Sequence, residues 1–179
     1  MANKDALRDL QTRLASRLQA AKTRPRARGW LAVECAGVGL LLPLAQAGEI
    51  FPLRALLKLP HAKPWMAGVA QLRGDLYTVV DLAAFLGLRA PQANDPTAPD
   101  GQLVMLAPAL QVNAALRVDR LSGLRGEEQL TREAEPADGS AGAKPAFAAG
   151  RWKDANGASW QELDLGALAI DGAFLDVTG

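Results

Sequence analysis

The chain has 179 residues, of which 49% are hydrophobic and 22% are charged, and its formal net charge is +1. This composition supports a folded core and excludes a disordered polyelectrolyte and a uniformly basic nucleic-acid coat. The single cysteine, Cys35, and the single histidine, His61, exclude an internal disulfide and a His/Cys metal cluster. We find no apolar run that predicts a membrane span and no leader-like start, so we expect a cytoplasmic chain without direct membrane insertion.

The charge is divided unevenly along the chain. Residues 1–28 hold eight basic and two acidic side chains, a net charge of +6, whereas the remainder holds twelve basic and seventeen acidic side chains, a net charge of −5. Leucines in the leading segment recur three and four residues apart, which predicts an amphipathic helix with one apolar stripe: Leu7, Leu10, Leu14 and Leu18. We therefore expect a basic N-terminal helix and linker over 1–28, followed by one domain over 29–179. The stripe could pack on that domain, dock on a partner, or lie on an acidic membrane or nucleic acid.

From Gly29 onward the pattern is typical of short strands rather than helices. Apolar and polar residues alternate over brief stretches separated by turn residues. Strands are predicted at 31–35, 39–44, 70–72, 76–82, 103–107, 112–118 and 159–165. Short helices are predicted at 82–88 and 165–169. The stretches 89–101 and 133–145 are rich in Pro, Gly and polar residues, and they predict exposed loops. The chain is thus expected to be mainly β.

An internal duplication is the most informative pattern. Six residues in the first half match six in the second at identical spacing: Gly74, Tyr77, Val80, Asp81, Leu82 and Phe85 against Gly157, Trp160, Leu163, Asp164, Leu165 and Leu168. Each copy predicts a hairpin turn, a strand that ends in Asp-Leu, and a helical turn capped by that aspartate. Two copies of a strand-rich unit predict two small barrels packed together, with repeat units over roughly 29–88 and 102–170.

The first copy carries a string with a familiar pattern. Residues 65–82, Trp-Met-Ala-Gly-Val-Ala-Gln-Leu-Arg-Gly-Asp-Leu-Tyr-Thr-Val-Val-Asp-Leu, resemble the signature of CheW-like domains, which are chemotaxis coupling proteins. Ala47–Ile50 and Val118–Leu121 resemble two further segments of that family, in the expected order. The basic leading helix and the string at 81–87 make the chain most similar to members that serve type IV pilus, or twitching motility, chemosensory systems.

The resemblance implies a fold, a function and a set of contact residues. It implies two intertwined five-stranded SH3-like barrels, without catalysis or a cofactor. Such a protein bridges the cytoplasmic tip of a methyl-accepting receptor and the regulatory domain of a CheA-like histidine kinase. The family places receptor contacts at positions that match Glu49 and Arg73, and Gly74 lies beside Arg73 at the hairpin turn. Trp65 is expected either to contact a partner or to anchor the core between the barrels.

Two other classes of protein compete with this interpretation. A nucleic-acid-binding barrel would use the basic helix as an electrostatic arm, but the body is acidic and only 5% of residues are aromatic, so we expect no nucleic-acid partner. A small hydrolase would need a nucleophile near His61, and none is near it in sequence. Asp81 and Asp164 could form an acid–base pair, but their equivalent places favour helix caps. Cys35 alternates with apolar residues and is expected to be a small buried side chain.

Overall fold

The computed structural model describes residues 28–90, 101–134 and 145–179. The predicted basic helix and most of the two predicted loops lie outside these residues. The described strands are β1 (Gly29–Cys35), β2 (Val38–Pro43), β3 (Ala47–Pro52), β4 (Met66–Leu72), β5 (Asp75–Asp81), β6 (Gln102–Leu106), β7 (Ala114–Val118), β8 (Arg120–Gly126), β9 (Leu130–Arg132), β10 (Ala148–Asp154) and β11 (Ser159–Leu163). The described helices are α1 (Leu82–Phe85), α2 (Leu165–Ala169) and α3 (Gly172–Leu175), with short 3₁₀ turns at Pro108–Leu110 and Glu127–Gln129.

The strands form two sheets, which we call sheet A and sheet B. Sheet A has the order β8-β1-β2-β11-β10-β9, and sheet B has the order β3-β6-β7-β5-β4. Neighbours are antiparallel except for one parallel pair in each sheet, β2 with β11 and β5 with β7. The mainly β, two-part fold is therefore confirmed. Sheet B has the expected five strands, whereas sheet A has six because the short strand β9 pairs with the edge of β10.

The two sheets are built by the same plan from both halves of the chain. Strands β1 and β2 correspond to β6 and β7, and β3, β4 and β5 correspond to β8, β10 and β11, because these sets occupy equivalent places in the two strand orders. The first half thus contributes two strands to sheet A and three to sheet B, and the second half contributes two to sheet B and four, including the extra strand β9, to sheet A. Neither sheet can form from one half alone, so the two sheets are intertwined.

The matched residues of the duplication occupy equivalent places. The Asp81 side chain caps α1, and the Asp164 side chain caps α2. The backbone N–H of Asp81 donates to the Trp65 carbonyl at 2.9 Å, and that of Asp164 donates to the Phe147 carbonyl at 2.8 Å. The capping prediction is confirmed at both aspartates. An acid–base role has no support from this geometry, because each carboxylate satisfies the first backbone N–H groups of a helix.

Three hydrophobic clusters hold the sheets together. The largest lies between the sheets and includes Cys35, which is fully buried as predicted. A second fills sheet B with small and medium aliphatic residues. The third fills sheet A and contains three tryptophans: Trp30, Trp152 and Trp160. Each buried aromatic side chain removes about 150–250 Å² of surface from water, so the tryptophan cluster contributes much of the stability of sheet A.

The sequence pattern missed the strands at the edges of the sheets. Strand β3 and strand β8 are edge strands with several exposed residues, so their apolar alternation is weak. Strand β4 begins at Met66, four residues before the prediction, and β10 was recognised only as part of the duplication. Edge strands bury less of one face than central strands, and their period-two pattern is correspondingly harder to detect.

Candidate docking surface

The turn between β4 and β5 presents a charged side chain at one end of sheet B. Leu72 pairs with Asp75, so Arg73 and Gly74 form a two-residue hairpin loop. Both have positive φ, +53° and +97°, as a type I′ turn requires. Glycine adopts this conformation without cost, which explains Gly74, whereas Arg73 adopts it under constraint from the hairpin. The turn leaves the Arg73 side chain 66% exposed.

Glu49 faces this turn from the opposite edge of sheet B. The Arg73 Nε atom lies 2.7 Å from Glu49 Oε2, and the Glu49 side chain is 48% exposed. The ion pair therefore joins the outermost strands β3 and β4. The structure thus brings together the two residues that the family resemblance assigned to receptor contact. An ion pair this exposed contributes only about 0–1 kcal/mol to stability, so a partner can replace one side of it at small cost.

Two exposed leucines belong to this hairpin and to the segment bridged to its outer edge. Leu57 forms a bridge with Val69 on the outer edge of β4 and is 69% exposed. Leu76, two residues after the turn, is 66% exposed. We call the surface formed by Glu49, Leu57, Val69, Arg73 and Leu76 the hairpin patch. Sequence reasoning missed the leucines. Leu76 shares a face of β5 with Thr78 and the fully buried Val80, so its exposure comes from its place near the turn and not from a period-two pattern.

Trp65 lies in a different environment from the hairpin patch. Its ring packs edge-on against Phe85 at 5.1 Å, and Phe85 also contacts Phe147 and Phe174. The side chain is half-buried and packs against the cluster between the sheets. The structure therefore gives Trp65 the position of an inter-sheet anchor. Its role as a partner contact stays a prediction.

A buried ion network lies behind α1. The Arg89 guanidinium donates to both oxygens of Asp81 at 3.0 Å and to Asp119 at 2.6 Å, and Arg117 lies 3.8 Å from Asp81. Burial lowers the pKa of Arg89, but the hydrogen bonds to Asp119 and Asp81 outweigh it and the net direction is upward. Asp81 is only 3% exposed. This network stabilises the fold and was not predicted, because Arg89 belongs to a proline-rich stretch without periodicity.

The other candidate chemical groups have structural surroundings. His61 lies in a turn with φ +57°, and its carbonyl accepts from the Gly179 N–H at 2.8 Å. Burial raises the pKa of Cys35 to about 12, so its thiol is un-ionised at neutral pH. No group of three His, Cys, Asp or Glu side chains in the described part of the chain is placed to hold a metal ion. Within the same residues, no helix is long and apolar enough to span a membrane.

The aromatic side chains are not arranged as a surface for stacking bases. All nine aromatic residues of the sequence lie within the described residues, and each is buried or half-buried. Proteins that bind single-stranded nucleic acid stack bases on exposed aromatic rings. This arrangement disfavours the nucleic-acid alternative and leaves the hairpin patch as the candidate functional surface.

Two intertwined sheets with a charged, leucine-flanked hairpin at one end define a β-rich interaction module. Residues 29–171 match the sequence model of the CheW-like domain, and the chain belongs to that family. It is similar to Protein PilI of Pseudomonas aeruginosa, with 28% identity over 113 residues that cover 63% of this chain. The match spans 61% of the length of PilI. The crystal structure of scaffolding protein TtCheW from Thermoanaerobacter tengcongensis shares the fold, with a TM-score of 0.64, 18% identity and coverage of 84% of this chain and 97% of that one.

These comparisons confirm the family resemblance and the fold expected from it. The chain has a CheW-like domain, and its similarity to PilI is consistent with the branch that the sequence favoured. The hairpin patch lies within the matched range.

Proposed function

We propose that this chain is a non-enzymatic adaptor that couples the cytoplasmic tip of a methyl-accepting receptor to the regulatory domain of a CheA-like histidine kinase. We further propose that it acts in the cytoplasm in a chemosensory system for type IV pili. The match to the CheW-like family supports the first statement, and the similarity to PilI supports the second. Neither activity requires a cofactor.

The single observation that carries this proposal is the exposed ion pair in the hairpin patch. Arg73 and Glu49 offer one charge of each sign on the same surface, and Leu76 and Leu57 are exposed on the same hairpin and on the segment bridged to its edge. A guanidinium binds a carboxylate through two parallel hydrogen bonds, which fixes the orientation of a partner. The leucines supply apolar area next to it. This combination suits the helical tip of a receptor with polar and apolar faces.

An adaptor needs a second docking face, and the internal symmetry supplies a candidate. The edge strands β3 and β8 are equivalent, and each exposes an apolar residue at the same register position, Ile50 opposite Val104 and Leu124 opposite Leu31. Two similar edges, one in each sheet, offer separate surfaces to two partners. We propose that the receptor uses the hairpin patch and that the kinase uses the β8 edge.

The experiment is a calorimetric titration of the full chain with a cytoplasmic receptor fragment from the same genome. We expect Arg73→Glu to weaken binding at least about 30-fold, which corresponds to about 2 kcal/mol. Arg54→Glu is the matched control, because Arg54 is also an exposed arginine and the change in charge is the same. Equal affinities for the two variants would remove Arg73 from the docking surface.

A further inference from the structure

The two helix caps of the duplication differ in how their carboxylates are covered. Asp81, at the first cap, is sealed from water because Arg89 and Arg117 approach it. Its Oδ1 atom accepts from the Ala84 N–H, and its Oδ2 atom faces both guanidiniums. Arg89 also donates to Oδ1 at 3.0 Å, so both oxygens of this carboxylate bind a buried cation while one of them caps the helix.

At the second cap only one oxygen is used. Asp164 Oδ1 accepts from the Gln46 side-chain amide at 3.0 Å and from the N–H groups of Gly166 and Ala167. Among the described residues, no hydrogen-bond donor reaches Asp164 Oδ2, and the residue is half-buried. The oxygen that faces two guanidiniums in the first copy therefore has no such partner in the second.

A groove lies next to this carboxylate. It has a volume of about 850 Å³, and the residues that matter here are Arg28, Pro43, Arg132, Glu162 and Asp164. Its presence follows from one difference between the copies. In sheet B the register pairs Asp81 with Arg117. In sheet A the last pair is Glu162 with Leu41, and continuing that register by two residues matches Asp164 with Pro43, which lines the same groove. Proline supplies no cation and little volume, so space remains where the first copy is filled.

The position of Arg89 in the chain shows where an equivalent cation can come from. Arg89 belongs to the segment that leads into β6, the first strand of the second copy. The matching segment leads into β1 and carries a run of basic residues: Lys22, Arg24, Arg26 and Arg28. The two entry points are equivalent, because the Leu53 N–H donates to the Gly101 carbonyl at 3.1 Å and the Glu127 N–H donates to the Arg28 carbonyl at 3.1 Å.

We propose that the guanidinium of Arg24 or Arg26, in the basic run 22–28, binds Asp164 and Glu162 in this groove, as Arg89 binds Asp81 in the first copy. Arg28 already lines the groove, and the run carries the positive charge that the acidic body lacks. Glu162 accepts the indole N–H of Trp30 at 2.9 Å and that of Trp152 at 2.8 Å, one on each oxygen. Each carboxylate oxygen has a second acceptor site, so Glu162 can also bind a guanidinium.

Arg132 does not take this role in the structure. Its guanidinium lies over the Trp152 ring, with 6.0 Å between the guanidinium carbon and the ring centroid, and it rests against Gly150 on the other wall. The basic run instead enters the groove from the side of β1. Bound in this way, the leading segment is held on sheet A, whereas the hairpin patch belongs to sheet B. The inference goes beyond the adaptor function and does not depend on it.

The first test uses the tryptophan indole N–H signals of the full ¹⁵N-labelled chain. We expect the double variant R24Q/R26Q to move the indole signals of Trp30 and Trp152, because both bond to Glu162. The Trp160 signal should stay in place, since that N–H bonds to Asp154. The control R13Q/R17Q removes the same charge further from β1 and should move none of them. Identical spectra for the two variants would overturn the proposal.

The second test locates the contact covalently. The variant R24K/R26K keeps the charge and provides amines that a carbodiimide can join to a neighbouring carboxylate. We expect isopeptide bonds from residue 24 or 26 to Glu162 or Asp164 within one chain. Mixing labelled and unlabelled protein separates bonds within a chain from bonds between two copies. Absence of these bonds, or their formation only between copies, would overturn the proposal.

Discussion

Replacing each capping aspartate by asparagine separates the roles of the two equivalent carboxylates. Asparagine caps a helix about as well as aspartate, so neither substitution removes the cap itself. Asp81→Asn removes the carboxylate that lies 3.8 Å from Arg117, and it removes one of the two carboxylates that bind Arg89. Asp164→Asn changes a half-buried carboxylate that faces no buried cation among the described residues.

The magnitudes follow from burial. Breaking a buried ion pair by removing one partner costs about 3–5 kcal/mol, because the remaining charge is left uncompensated. Asp119 still binds Arg89 after the substitution, at 2.6 Å, so we expect the lower end of that range, about 3 kcal/mol, for Asp81→Asn. Asp164→Asn should cost less than about 1 kcal/mol, the scale of a partly exposed ion pair.

The assay is equilibrium unfolding of the full chain in urea, with both variants measured against the original sequence. An unchanged slope of the free energy of unfolding against urea concentration would show that each variant exposes the same surface on unfolding, so that their free energies can be compared. If both substitutions lower the free energy of unfolding by the same amount, within about 0.5 kcal/mol, then the network around Asp81 contributes nothing beyond helix capping, and the reasoning is refuted.

Three further predictions use other features of the fold. The Cys35 thiol should resist a disulfide reagent at pH 8 in the folded chain and react at once in denaturant; rapid labelling of the folded chain would contradict its burial. Because burial raises the pKa of this thiol to about 12, the stability that the un-ionised thiol contributes is lost as pH rises above about 9. In thermal unfolding, Gly39→Ala should destabilise the protein by about 1–3 kcal/mol, since a Cβ there would lie 2.7 Å from the Trp160 ring. The control Gly172→Ala should be nearly neutral in the same assay, because no atom lies near the added Cβ. Arg73→Glu should change the free energy of unfolding by less than about 1 kcal/mol, because its ion pair is exposed; a larger loss in urea unfolding would make it a structural residue.

Local sequence patterns predicted the parts of the fold that repeat. Six matched positions were enough to predict two equivalent strand–helix units, and the structure gives Asp81 and Asp164 the same capping role. The turn at Gly74 was also predicted, because positive φ restricts the choice of residue. These features depend on near neighbours in sequence, which local patterns record.

The features that were missed depend on contacts between distant segments. Arg117 lies in a strand that alternation predicted correctly, yet nothing local shows that its guanidinium is buried against Asp81. Glu162 receives indole hydrogen bonds from Trp30 and Trp152, which are 132 and 10 residues away in sequence. The exchange of strands between the sheets likewise came only from the family resemblance, since no local pattern determines which strands pair.

The candidate docking surface was predicted in part. The family resemblance identified Glu49 and Arg73, and the structure adds that they form an ion pair across the edges of sheet B. It also adds Leu57 and Leu76 as exposed apolar neighbours. Trp65 is half-buried and packs against the cluster between the sheets, and its role as a partner contact stays a prediction.

The central claim, that this chain couples a receptor to a kinase, is tested most directly by reconstitution. A cytoplasmic receptor fragment and a CheA-like kinase core from the same genome would be sedimented together with and without the full chain. The account predicts a complex of all three proteins that is lost when the chain is omitted and is weakened by Arg73→Glu. Sedimentation of the receptor fragment and the kinase core that is the same with and without the chain would contradict it.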